Sequence, residues 1–485
     1  MPATSKPAAS TMVTNSNNGD ACLPLTMPSA DALFGSAKRV FAHYFYPFPV
    51  SLDNAAPSGD YYNSQYLNVH GESNKWLAQG GYLRQRPLAT TPSTSASWKL
   101  LNMEAEVRAA IARGITGFAF DSMGATDVAA GNGPLTLMLA AAQAVDSRFK
   151  IMVMPDITEL GTNSAAVIQI ITAVAASPAA YRLSDGRLVV SAFDAGLNSP
   201  AWWQSVLSQL SAKGITVAFV PTFLGWSVSA DAFASISYGF GDWGTATAAA
   251  SASMQSDPAV AHGTYDKIYM MPIDPQQFRP KDFVYWEAGN SASFRNAWGS
   301  AINGGADWVQ MVTWNDFSES GQISPYSDAT LSTGIGTGYY DMNGYYAAWF
   351  LTGQQPAITH DVLYYFYRRE PTTAAGPAQS QTDSIETGTG TAENDIELVA
   401  FLTAPGVLKI TIGGNTYTQN ASAGVVSFKI PSQPGTPIFT LARNGADVFS
   451  FQGGVQIYGA SGLPSGVQDL TYWSGSAAQS GLCSL

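Results

Sequence analysis

Short apolar runs and helical patterns alternate along the first two-thirds of this chain. Residues 39–45 (RVFAHYF) are apolar and aromatic and read as a buried strand. Similar runs recur at 115–120, 150–154, 187–193, 215–220, 235–240, 267–271 and 308–313. Between them, apolar residues fall at helical spacing over 97–113, 134–145, 165–176, 201–213 and 292–303. Gly114 and Gly214 stand where two of these helices should stop. Eight strands, most followed by a helix, predict an α/β fold: a (β/α)8 TIM barrel over residues 31–357.

After residue 353 the pattern changes. A helix around 345–350 should close the barrel, and short strand-like runs follow at 361–367, 397–402, 407–412, 425–430, 437–442 and 447–451. The stretch 372–393 is rich in Ser, Thr, Gly and Pro and reads as a loop. A second, all-β, sandwich-like domain is therefore expected over 358–485. Residues 1–30 read as a flexible N-terminal segment. The long irregular insertion at 47–96 carries Tyr61, Tyr62, Tyr66, Trp76 and Tyr82, and such aromatics favour an ordered loop lining a cleft.

Composition narrows the ligand. Charged residues make up 12% of the chain, against about 25% in an average soluble protein. A net charge of −12 argues against nucleic acid, which normally requires clustered Lys and Arg. Twelve Trp and 22 Tyr among few charges suit a neutral, hydroxyl-rich partner such as a polysaccharide, although aromatics singly are more often core residues. No apolar run is long enough for a membrane span. The first twenty residues lack the charged and apolar regions of a signal peptide. Low Lys content and Ser/Thr-rich segments favour export, so an extracellular monomer whose leader has been removed is expected. Cys22 and Cys483 either clasp the two ends or remain two unpaired thiols. No Cys/His spacing resembles a zinc site and the four His are scattered, so neither metal nor cofactor is expected.

The strand ends carry the candidate chemistry. Asp121, Asp156, Asp194, Asp242 and Asp274 each follow a predicted strand, and Asp316 and Glu319 follow the eighth. In a barrel all of these reach one face, where the loops after the strands build the active site. A single strand-end Asp is ordinary, because Asp caps helices and turns well. The whole ring is harder to explain by capping. Like charges in a cleft raise one another's pKa, which lets one carboxyl group remain a general acid. Asp316 and Glu319, three residues apart beside Trp314 and Asn315, look like the acid/base pair of a glycosidase. His43 at the end of the first strand is equally readable as a sugar ligand or a structural residue. Trp226, Trp243, Trp286 and Trp314 are candidate stacking platforms or core residues, and Glu287 is a cleft acid or a helix-start residue.

VFAHY at the first strand, GITGFAFD at the second, YMMPID at the seventh, TWNDFSES at the eighth and DVLYYFYRREP after the barrel together resemble glycoside hydrolase family 71, the α-1,3-glucanases or mutanases. The likeness runs from about residue 39 to 371, and the WND-x-x-E stretch is its most specific part. The resemblance implies a (β/α)8 catalytic domain followed by a β-sandwich, an α-glucan substrate, inversion of the anomeric centre, and no metal. It maps the catalytic pair onto Asp316 and Glu319; Glu319 is assigned as acid and Asp316 as base, with the reverse left open. His43, Asp121, Asp156, Asp194, Asp242, Trp243, Asp274, Trp314 and Asn315 are then expected to bind substrate. The chain departs from the family after the first strand, where YFYPFPVSLDN and the aromatic insertion stand, so linkage and endo or exo action are open. Spacing alone does not fix stereochemistry, since inversion needs carboxyls roughly 6.5–9.5 Å apart and retention about 5–5.5 Å. Two rivals remain: a hydrolase of another polysaccharide, and a non-catalytic carbohydrate-binding barrel. An adhesion protein built around the β-domain leaves the acidic ring unexplained.

Overall fold

The computed structural model describes residues 19–328, 335–479 and 481–482. Eight parallel strands form the barrel wall: β1 Arg39–Tyr44, β2 Gly117–Ser122, β3 Lys150–Pro155, β4 Leu188–Val190, β5 Val217–Phe219, β6 Gly239–Asp242, β7 Ile268–Ile273 and β8 Trp308–Met311. They run in the order β5-β4-β3-β2-β1-β8-β7-β6, and a two-residue strand, Thr222–Phe223, pairs with the outer edge of β6. That short strand continues β5 past Val220 and Pro221. Val220 N donates to Val190 O (2.9 Å), while Tyr238 N donates to Phe219 O (2.7 Å), so the β5 stretch touches both ends of the sheet. The architecture is a (β/α)8-like barrel.

Among the described residues, eight main helices accompany the strands, of which Trp226–Phe233 and Asp257–Tyr265 are not among those expected from the sequence. They are α1 Trp98–Ala112, α2 Pro134–Val145, α3 Ser164–Ala175, α4 Pro200–Ala212, α5 Trp226–Phe233, α6 Asp257–Tyr265, α7 Ala292–Gly304 and α8 Gly338–Thr352. Pro134 and Pro200 open α2 and α4, where a missing N–H costs nothing. Gly114 and Gly214 follow α1 and α4 at φ 79°, a left-handed conformation that a side chain resists. Phe41, Met152, Met154, Val189, Ala218, Val220, Met270 and Trp308 plug the barrel interior and form a dry floor. The chemistry is thereby confined to the strand ends above them.

Eight longer antiparallel strands follow: β9 Val362–Arg368, β10 Asp395–Leu402, β11 Gly406–Ile412, β12 Asn415–Ala421, β13 Gly424–Pro431, β14 Ile438–Arg443, β15 Ala446–Gln452 and β16 Tyr472–Ala478. One sheet runs β13-β10-β9-β16, the other β12-β11-β14-β15. All seven residues of β9 are buried, because both its faces are covered. Leu363, Tyr365 and Tyr367 face the second sheet, with Tyr365 stacked on Phe439 at 5.2 Å. Val362, Tyr364 and Phe366 face the barrel, with Phe366 4.9 Å from Tyr339 of α8. Helix α8, expected as a short piece near 345–350, is a 15-residue layer between barrel and sheet. It is fastened by a buried Arg113–Asp341 ion pair at 2.8 Å.

One expectation changes here. Residues 19–30 are not a loose leader: Leu23 and Leu25 are buried in the barrel's outer core, and Tyr364 donates to Cys22 O at 2.8 Å. Cys22 is disulfide-bonded, while Cys483 lies outside the described residues. The insertion is ordered, as its aromatics suggest. The buried Arg86 guanidinium forks onto both carboxylate oxygens of Asp60 (2.8 and 2.6 Å), and Arg86–Pro87 pairs with Tyr326–Ser327.

Candidate active site

The loop after β8 turns back on itself through Asp316. Its backbone N–H donates to Thr313 Oγ1 (2.7 Å). Its Oδ1 accepts from Ser318 N (2.9 Å), Ser318 Oγ (2.7 Å) and Glu319 N (3.2 Å). These bonds fix the carboxyl group within the turn. Asp316 is buried, and its pKa is raised to about 7, first by desolvation and then by the charge of Glu319. Glu319 has different company. Its Oε2 accepts from Gln277 Nε2 (2.7 Å) and Arg279 Nη2 (3.0 Å), and Lys281 Nζ is 4.0 Å from Oε1. These partners come from the loop after β7, which Phe278 N ties to Glu319 O at 2.8 Å.

On the two neighbouring strands, His43 of β1 and Asp121 of β2 face each other, Nε2 to Oδ2, at 3.7 Å. Burial pushes the His43 pKa down to about 3, so the imidazole is neutral. The Asp121 carboxyl is pushed well upward, by burial first and then by Asp156 and Asp316. His43 Nδ1 and Asp121 Oδ1 are buried without a hydrogen-bond partner, so both are free to meet a hydroxyl-bearing ligand. Trp243 presents its ring edge-on to His43 (4.8 Å) and Phe193 (4.7 Å), walling this side of the cluster. Asp274 is buried with Oδ2 unpartnered and its pKa driven up by burial and by Asp242. Its position beside Gly244 is close enough that a side chain there would strike the carboxylate.

Other predicted residues are committed elsewhere. Asp156 caps a short helix through Thr158 N (2.8 Å) and Thr158 Oγ1 (2.6 Å). Asp242 accepts from Gly225 N (2.8 Å) and Trp226 N (3.1 Å), opening α5. Asp194 sits at φ 47° in a turn after β4, half-buried, and no hydrogen bond joins it to the Asp316 group. Trp314 turns away from the cluster and donates to Glu106 of α1 (3.2 Å) inside the packing between barrel and helix. Asn315 is a clamp: it accepts from Phe45 N (2.7 Å) and donates to Phe45 O (3.0 Å) and Phe48 O (2.9 Å). Trp226 packs in the core and donates to Asp257 (3.1 Å). Trp286 lies under Arg279 (5.0 Å). Glu287 pairs with Arg368 (3.1 Å) and Tyr472 (2.6 Å) at the joint with the β-sheets.

Three residues at the site escaped the sequence reading, and a fourth, Tyr82, was expected only to line a cleft. Gln277, Arg279 and Lys281 stand in the run QQFRPK, whose two cations just past a strand end were a visible signal in a chain so poor in charge. Tyr82 of the insertion hydrogen-bonds with Ser318, and its pKa is raised by burial and by Asp316. Nothing in its local sequence marks that contact, which is made across more than two hundred residues of chain. Among the described residues, no group of three or more His, Cys, Asp or Glu side chains is arranged to hold a metal ion.

A desolvated carboxyl group, a second carboxylate among cations, and unpartnered hydroxyl-binding atoms together fit acid/base cleavage of a sugar chain. Residues 92–484 match glycosyl hydrolase family 71. The chain belongs to that family. It is therefore a glycosidase. Among curated relatives, the glucan endo-1,3-alpha-glucosidase agn1 of Schizosaccharomyces pombe is 26% identical over 75% of this chain and 88% of its own length. A mutanase of Penicillium rubens is 27% identical over 41% of this chain and 47% of its own. Among solved structures, a GH99 endo-alpha-mannosidase from Bacteroides thetaiotaomicron aligns over 64% of this chain and 97% of its own, with 17% identity and a TM-score of 0.48.

Proposed function

We propose that this glycosidase hydrolyses α-1,3-glucan within the chain, with Asp316 as general acid and Glu319 as general base. The contrast between the two carboxyl environments carries the reading. Asp316 is buried, with a pKa near 7, so it holds a proton to give to the glycosidic oxygen. Glu319 faces Arg279, Gln277 and Lys281, which suits a carboxylate that draws a proton from water. The roles are thus the reverse of those assigned from the sequence. Attack of that water on the ring face opposite the leaving oxygen inverts the anomeric carbon. His43, Asp121 and Asp274 offer hydrogen bonds to sugar hydroxyls, and Trp243 bounds the ring. The names of the curated relatives, an endo-1,3-alpha-glucosidase and a mutanase, support both the linkage and endo action.

In this reading the catalytic unit is a (β/α)8 barrel over 31–357, braced by a β-sandwich over 358–485. The enzyme works as a monomer outside the cell, on wall or matrix glucan, without nucleic acid or membrane as partner. Its net charge of −12 supports the first exclusion. Among the described residues no helix is long and apolar enough to cross a membrane. The deciding experiment is reducing-sugar release from insoluble α-1,3-glucan by the wild type, Asp316→Asn and Glu319→Gln, with the anomer of the product read by NMR. Release by the wild type alone, as the β-anomer, is expected. Near wild-type release by either amide variant removes that residue from the pair, and silence from the wild type removes the substrate.

A further inference from the structure

A concavity lies near the cluster of acids, and half of its lining precedes the stretch that matches the family. It has a volume of about 380 Å³, in the range of small-ligand sites. The turn after β1 and the insertion build one wall, with Tyr46, Pro49 and Tyr66; α1 and the start of α2 build the other, with Asn102 and Asn132. The first wall precedes residue 92, where the match to family 71 begins.

Both aromatic residues join this cavity to the cluster. Tyr46 lies parallel to Phe120 of β2 (6.0 Å, 6°), and its hydroxyl hydrogen-bonds with Asp127 within the field of Asp121. Tyr66 packs edge-on against Tyr82 at 5.1 Å, and Tyr82 meets Ser318 in the catalytic loop. The lining holds no carboxylate; its polar groups are amides, hydroxyls and Lys99. Half-exposed ring and proline faces with amide donors and acceptors at the edge match the C–H faces and hydroxyls of a neutral sugar. An anion would find one exposed lysine, and a purely apolar ligand would strand the two asparagines.

We infer that this cavity is a distal glucan subsite, which holds sugar units of the same chain that is cut at Asp316 and Glu319 and so makes the enzyme favour long substrates. The inference rests on the functional reading above and deepens it. The subsite contributes binding only, so it separates long from short substrates without touching the chemistry.

The test compares kcat/KM on α-1,3-linked glucose oligosaccharides of four units and of ten or more, for the wild type, Tyr66→Ala and Asn132→Trp. Asn132 is exposed, so the bulky indole plugs the cavity without entering the core; circular dichroism checks both folds. The expected result is a long-to-short ratio about five- to tenfold lower in each variant, the loss of roughly one good contact, and carried by KM. An unchanged ratio in Asn132→Trp, with the wild type cutting both substrates, overturns the subsite and leaves the functional reading standing. Failure of the wild type to cut either substrate overturns both.

Discussion

Arg279 reaches from the loop after β7 to Glu319 in the loop after β8, Nη2 to Oε2, at 3.0 Å. Among the described residues Asp316 has no cation at ion-pair distance, although it lies three residues away. One short stretch of chain therefore presents two carboxyl groups in different settings, one desolvated and one beside a guanidinium, as the proposed division into acid and base requires.

Replacing Arg279 with Gln tests that separation. The pair is partly exposed, so it adds only about 0–1 kcal/mol to stability, and the melting temperature should barely move. The effect on rate should be larger, a fall of about 10–100-fold in kcat/KM, because a preorganised charge beside a reacting group is lost. Steady-state kinetics alongside thermal unfolding separates the two. A variant that melts early yet keeps its rate would make Arg279 a structural residue.

The pH dependence follows from Asp316. A general acid must carry its proton, and this carboxyl group carries it below about pH 7. kcat should be level at mildly acidic pH and fall about tenfold per unit above pH 7. Both causes of the raised value, burial and the charge of Glu319, act in the same direction. In Glu319→Gln the second is removed, so the Asp316 titration followed by carbon-13 NMR should move to lower pH. An unmoved titration would mean that the two carboxyls do not sense each other.

Glu106 gives a stability prediction of definite sign. It is buried between α1 and the barrel, accepting from Tyr44 (2.8 Å) and Trp314 (3.2 Å), and burial raises its pKa from 4.5 to about 7. The folded state then keeps a proton that the unfolded chain has released between those values. Its stabilising contribution is complete below pH 4.5 and is lost as pH rises through 7. Glu106→Gln imitates the protonated form. It should match the wild type near pH 5 and exceed it by about 1–3 kcal/mol at pH 8 in urea unfolding. Equal stability of the two proteins at pH 8 would contradict this.

The barrel was legible because parallel strands buried on both faces leave apolar runs, and Gly114 and Gly214 mark where helices stop. Two β-strands were not legible. β12 (NTYTQNA) is a mostly exposed edge with polar side chains, and β16 (YWSGSAA) is made of small residues. Gly475 in β16 lies under the Tyr365 ring, where any larger residue would clash, so packing rather than propensity chose that sequence. At the site, Asp316 and Glu319, the pair proposed above, stand out in the sequence by their spacing after the eighth strand. The purposes of Asp242 and Trp314 were not. A strand-end acid that caps a helix and one that meets substrate look alike until the partner on another loop is known. Arg279 and Tyr82 act through contacts made only by the fold.

Asn315 shows the same point at a position expected to touch sugar. Its carboxamide makes three hydrogen bonds to the chain just after β1, at Phe45 and Phe48, which use both of its N–H donors. It ties the segment after β8 to the segment after β1, immediately before Asp316 in the chain. Asn315→Ala leaves two carbonyls and one amide without partners in a largely buried place, at a cost of roughly 2–4 kcal/mol. Because Asp316 is the next residue, the loosened loop should also lower kcat, with KM for short substrates nearly constant. Asn315→Asp keeps the acceptor for Phe45 N but sets a buried carboxylate oxygen against the Phe45 and Phe48 carbonyls, so at neutral pH its stability should fall below that of the alanine variant. Urea unfolding ranks the three proteins, and kinetics on a soluble oligosaccharide completes the test. A large rise in KM with full stability would return Asn315 to the substrate-binding residues.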